Sequence, residues 1–200
     1  MRKTVNFRSI KDEIRVLGID DAPFKFKGKG KTILVGTVFR AGDWLDGVLS
    51  RKIKIDGLDA TEMIIDMVSK SRHRDQLRVM LLDGVTFGGM NVADIREIYK
   101  RTQVPIIVVN RKLPDIASME NALKNFKDGN RRLNIIKRCG TFKEIAIGNY
   151  KLYVQLKGIK KRDAERILKL SCTRSHIPEA LRAAHIIASG IVKGESRGGA

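Results

Sequence analysis

The sequence predicts an α/β protein, a mixed five-stranded sheet flanked by helices and followed by an extra C-terminal hairpin and helices. Three observations carry this. Three β-rich runs come first, with connections short enough for an antiparallel meander. Helical patterns and apolar runs then alternate, as crossover helices and parallel strands do. One of those runs, Val79 to Leu82, ends on Asp83 and a glycine-punctuated loop, which is how a strand buried on both faces reads.

The elements follow in order. "IRVLGID" (14–20) reads as a first strand ending on Asp20. "KTILVGTVFR" (31–40) and "GVLSRKIKI" (47–55) are two more, joined through "AGDWLD". Asp59 then stands as a helix N-cap with Glu62 three residues on, in capping-box fashion. After the strand ending at Asp83, Asn91 caps a helix running to about Arg101, and Pro105 opens the strand "IIVVN". A helix over about 116–127, a hairpin around Gly148-Asn149 and two helices complete the chain. The last helix begins at Pro178 with Glu179 in its first turn. One domain over 1–193 with a flexible tail over 194–200 is the expected organisation.

Composition narrows the function classes. Apolar residues make up 42% of the chain, too many for disorder. The longest apolar runs fall far short of a membrane span. The start, "MRKTVNFRSIKDEIR", lacks the apolar core of a secretory signal, so the expected location is cytoplasmic. Cys139 and Cys172 show neither a disulfide framework nor zinc spacing. Forty Lys and Arg against 22 Asp and Glu leave a net charge of +18. Such an excess fits a polyanionic partner, because neutralised phosphates release counterions. Lys25, Lys27, Lys29 and Lys31 form one basic cluster, and Lys160 and Lys161 open another before a helix with one basic face. A solvated helix face accounts for such charge too, but would predict a balance of signs that this chain lacks.

Three β-runs followed by helix, strand, helix and strand is the order of an RNase H-like sheet, in which the first strand lies centrally beside the fourth. Asp20 and Asp83 then end adjacent strands, with backbones about 5 Å apart. Two carboxylates that close raise each other's pKa unless a cation neutralises them. Mg²⁺ or Mn²⁺ takes such oxygen ligands and can activate water or clamp a phosphodiester. The alternative is that each aspartate only serves loop amides or a nearby arginine, and Asp-Gly is itself a common turn pair.

"VLGIDDAPF", "DWLDGVL", "VMLLDG", "VPIIVVNRK" and "IPEALRAAHIIA" together resemble endonuclease V, over about residues 14–190. "IDGLDAT", "LDGVTFGGMNVADI" and "PEALRAAHIIA" resemble still more closely a largely archaeal, uncharacterised family related to it. The resemblance implies an RNase H-like nuclease fold. It makes Asp20 and Asp83 metal-binding catalytic acids and puts Arg111 at the position of a catalytic lysine. It also matches Trp44 to an aromatic wedge. Trp44 can stack on a base or cover a core edge equally well.

The departures from endonuclease V are as informative. The position of a further carboxylate at the end of the third strand holds Ile53 here. An insertion brings in Asp56, with the strand's facing reversed. Asp59 is another candidate metal ligand. Arg111 keeps the lysine's charge but is no readily deprotonated base. A histidine of the nuclease's C-terminal site falls near Lys160, and His185 reads as packed or exposed rather than catalytic. Arg182 is expected to pair with an acid and lock the last helix in place. Two expectations result: a Mg²⁺- or Mn²⁺-dependent nuclease acting on modified or structured nucleic acid, or a non-catalytic nucleic-acid-binding descendant that lost the complete acid set. An enzyme on a small phosphorylated substrate is a third class. It would show no salt-steep binding of polymers.

Overall fold

The computed structural model describes residues 4–5, 7–24 and 30–196. Its main strands come in the expected order, with a small two-stranded ribbon and one helix that the sequence pattern does not separate. A meander of β1 (Arg15–Asp21), β2 (Lys31–Arg40) and β3 (Trp44–Lys54) leads into α1 (Ala60–Ser69). Then β4 (Val79–Asp83), a small ribbon of β5 (Thr86–Phe87) and β6 (Asn91–Val92), α2 (Ile95–Thr102) and β7 (Ile106–Asn110) follow. The C-terminal part holds α3 (Ile116–Leu123), α4 (Gly129–Arg138), β8 (Lys143–Ile147), β9 (Tyr150–Lys157), α5 (Lys161–Ser171) and α6 (Glu179–Lys193).

The sheet order is β3-β2-β1-β4-β7-β9-β8. β1, β4 and β7 run parallel at its centre, and antiparallel pairs flank them. The C-terminal hairpin is therefore not an addition beside a five-stranded sheet. It extends that sheet to seven strands by pairing β9 with β7.

Alternation along the central strands divides the core in two. Leu17, Ile19, Met80, Leu82, Ile106 and Val108 face α1 and α2, while Val16, Val79, Leu81, Ile107 and Val109 face α5 and α6. Both faces are dry, which explains why these strands read as continuous apolar runs. On the second face α6 lies against β1 at Gly18, where any Cβ would strike the Ala180 backbone. Thr37 on β2 donates its hydroxyl to the Ala180 carbonyl at 2.6 Å, which fixes the helix lengthwise.

Several local expectations are corrected. Asp59 takes the N-cap position of α1 but makes no side-chain cap bond. Its carboxylate accepts from Lys54 N at 3.2 Å and Asn91 Nδ2 at 2.6 Å instead, and Glu62 pairs with Arg101. Asn91 does not cap α2. It is fully buried and donates to Asp59 and Lys54 while accepting from Ala60 N, and Asp94 supplies the cap. The helix expected over 116–127 stops at Leu123, and α4 begins at Gly129 after a turn. Pro178 is the N-cap of α6 rather than its first helical residue. Arg182 pairs with Glu179 within α6 at 2.7 Å, so it stiffens that helix's first turn instead of tying it to another element.

Candidate functional site

The parallel register of β1 and β4 runs from Val16 opposite Val79 to Ile19 opposite Leu82. Continued one residue, it brings Asp20 level with Asp83 at the carboxyl edge of the sheet. Both side chains share the parity of Val16, Val79 and Leu81, so both face the α6 side. Ligand chemistry in open α/β sheets gathers beyond such strand ends.

α6 completes this corner. His185 brings its Nδ1 to 2.9 Å from Asp20 Oδ2, while Asp20 Oδ1 accepts from Asp21 N at 2.8 Å. Asp21 points to the opposite face, where its Oδ2 accepts from Gly88 N at 2.9 Å on the glycine loop after β4. Asp83 is more open, and Arg111 Nη2 approaches it at 3.9 Å, an ion pair without a firm hydrogen bond. Asn110 is held by its amide on the Tyr153 carbonyl. Asp20, Asp21, Asp83, Gly84, Asn110, Arg111 and Lys112 line an open cleft of about 470 Å³.

The cleft crowds three carboxyls beside Arg111, Lys112 and His185. Burial pushes the Asp21 carboxyl up to about 7, the Gly88 amide opposes this, and the Asp20 and Asp83 charges add to it. Burial and the Asp20 charge push Asp83 up to about 6, against the pull of Arg111 and His185. His185 rises because the Asp20 carboxylate bonds its charged form. Hard carboxylate oxygens at a strand end are the donors that Mg²⁺ and Mn²⁺ take.

Other sequence-derived candidates are placed elsewhere. Asp56 accepts from Met90 N at 2.8 Å and, like Asp59, lies outside the cleft lining. Among the described residues, no group of three or more histidine, cysteine or carboxylate side chains is disposed to hold one metal ion. Ile53 is fully buried in the core, so the third strand presents no acid at that point. Trp44 opens β3 opposite Arg40, at the other end of β1 from Asp20, and is 66% exposed. Lys160 and Lys161 precede and begin α5, beyond the end of β9 that pairs with Ile106. They too belong to that far end. Lys31 is exposed at the start of β2, at the cleft end of the sheet, while Lys25, Lys27 and Lys29 lie outside the described residues.

Sequence reasoning missed Asp21, His185, Asn110 and Lys112. A signal for His185 exists: Ala180, Ala184 and Ala188 form a small-residue stripe where α6 lies close to the sheet, and His185 adjoins it.

Residues 12–192 match the family described as Endonuclease dU. The chain belongs to that family. A UPF0215 protein of Methanothermobacter thermautotrophicus is 56% identical over 196 residues, covering 98% of this chain and 96% of the relative. A crystal structure of a protein of unknown function from Archaeoglobus fulgidus matches with a TM-score of 0.80 and 37% identity, over 88% of this chain and 97% of that one. Endonuclease V of Ciona intestinalis, solved with a DNA containing an inosine followed by a ribo-adenosine, matches with a TM-score of 0.57 and 17% identity, over 90% of this chain and 86% of that one. The last likeness is one of fold, an RNase H-like sheet shared with endonuclease V. Among the described residues, no helix is long and apolar enough to cross a membrane.

Proposed function

We propose that the protein is a Mg²⁺- or Mn²⁺-dependent endonuclease acting on modified nucleic acid, with deoxyuridine in DNA as the substrate that the family's name indicates. The observation that carries this is the placement of Asp20 and Asp83, level on adjacent parallel strands and facing the same side of the sheet. The Asp83 carboxylate, pushed up to about 6 by burial and the Asp20 charge, costs stability when ionised that a purely structural role has no reason to keep. The donor set fits a hard divalent cation, and Asp20 and Asp83 would hold it. Such a cation supplies charge neutralisation and Lewis acidity at a phosphodiester.

The chain's own groups then have distinct tasks. Arg111 and Lys112 place positive charge on the cleft wall, where a scissile phosphate is oriented and its added charge stabilised. His185 keeps Asp20 in one rotamer and holds a proton at Nδ1, facing that carboxylate. The Asp21 carboxyl, up at about 7, can accept or return a proton near neutral pH. The net charge of +18 favours association with a polyanion.

A second reading, a non-catalytic nucleic-acid binder, is favoured by one observation: buried Ile53 leaves the third strand without an acid. A calorimetric titration of Mn²⁺ into the parent, Asp20→Asn and Asp83→Asn separates the two, alongside cleavage of oligonucleotides carrying deoxyuridine or deoxyinosine. Saturable binding and strand scission in the parent, both lost in the variants, support the nuclease. Nucleic-acid binding without metal uptake or scission supports the binder.

A further inference from the structure

The acidic cleft occupies the carboxyl edge of the parallel strands. The opposite edge holds a second cavity, also of about 470 Å³, between the N-terminal segment and the start of β4. Arg8, Lys11, Arg15 and Arg78 line it above an apolar floor that includes Phe7 and Ile14. Arg15 is already committed to Asp46 at 2.9 Å, and the lining acid Glu13 turns to Arg40. Arg8, Lys11 and Arg78 make no ion pair among the described residues.

Isolated unpaired cations are ordinary in so basic a chain. Three around one concavity repel one another and focus a positive potential into it, which an anion relieves. Guanidinium groups match phosphate oxygens two at a time. The volume lies within the range of small-molecule sites, about 300–1,000 Å³, and so exceeds what a bare anion needs. An apolar floor beneath a cationic rim suits a ligand with one phosphate end and one flat, weakly polar body.

We propose that this cavity binds the phosphate and base of a nucleotide unit, apart from the acidic cleft. Arg15 and Asp20 are five residues apart on one strand, which separates the two sites by about 17 Å along the sheet. Where the nucleotide belongs to a strand, the protein holds nucleic acid at both ends of β1.

Trp44 gives a local reporter. It is the chain's one tryptophan, and it lines the adjoining cavity with Glu13 and Arg40. The test titrates the full chain with inorganic phosphate, thymidine monophosphate and oligothymidylate, following Trp44 fluorescence. It compares the parent with Arg8→Gln/Lys11→Gln/Arg78→Gln. A second triple variant, Lys124→Gln/Lys127→Gln/Arg131→Gln, loses the same charge elsewhere. All six side chains are exposed, and thermal melts check that both variants fold.

The expected result is a saturable change with the monophosphate in the parent and the second variant, weakened about ten-fold or more in the first. Against oligothymidylate, the first variant should lower the salt slope by about 2, at roughly 0.7 per lost phosphate contact on a single strand. Binding of the oligomer alone, lost in the first variant, assigns the nucleotide to a strand; binding of the monophosphate assigns it to the free form as well. Equal behaviour of the two variants, no saturable change with any probe, or inorganic phosphate binding as tightly as the monophosphate overturns the proposal. Asp83→Asn should leave the monophosphate titration unchanged, so failure of the metal reading does not touch it.

Discussion

Asp20 and His185, 165 residues apart in the chain, meet at 2.9 Å across the contact between β1 and α6. The helix that carries the imidazole is seated by Gly18, two residues before the carboxylate it serves. The same close approach that packs the core therefore sets the geometry of the site.

This pair gives stability a pH signature. The Asp20 carboxylate holds His185 above the usual histidine value. A folded pKa above the unfolded one adds stability that is complete below about pH 6.5 and fades as pH rises through the folded value. His185→Asn should lack this component. Melting temperatures of parent and variant should diverge in acid and converge in alkali; parallel curves would contradict the pairing.

The cleft carboxylates move stability in the same direction with pH, but by a cost that appears when they ionise. Asp83 stands at about 6 and Asp21 at about 7, against 3.8 unfolded. Native protein thus binds more protons than unfolded chain over about pH 4 to 7, and stability falls as pH rises through that window. Asp83→Asn should melt above the parent at pH 8 by on the order of 1–2 kcal/mol, discounted for partial exposure, and match it near pH 4. Millimolar Mn²⁺ should raise the parent's melting temperature at pH 8 and leave that of Asp83→Asn unmoved.

Gly18→Ala tests the seat of α6. The added methyl meets the Ala180 backbone, so the helix must shift, at a cost of about 1–3 kcal/mol by chemical denaturation. Because His185 rides on that helix, Mn²⁺ affinity should fall as well. A destabilised variant with unchanged Mn²⁺ affinity would separate helix seating from the site.

Arg132 organises the loop on the other side of the cleft. Its buried guanidinium donates to the carbonyls of Asp56, Gly57 and Met90 and pairs with Asp128, above the Phe126 ring. Arg132→Met strands those carbonyls and should cost on the order of 3–5 kcal/mol in urea unfolding. The Gly88 amide on Asp21 belongs to the same loop, so hydrogen exchange at Gly88 should accelerate in the variant.

By itself, the sequence determined the order of the main strands and most of the helices, and the strand-end placement of Asp20 and Asp83. These are local facts, written in apolar runs with a period set by burial on both faces. Tertiary structure alone decided that His185 reaches Asp20, because that distance depends on where α6 crosses the sheet, and a shift of α6 by one turn along the sheet would abolish it. It also decided that Asp59 and Asn91 bond to each other rather than cap their helices. A buried amide with three available partners outcompetes two exposed caps, and no spacing within either segment encodes a contact made across 32 residues. The hairpin's place in the sheet was settled likewise: pairing with β7 satisfies an edge that the local pattern of β8 and β9 leaves open.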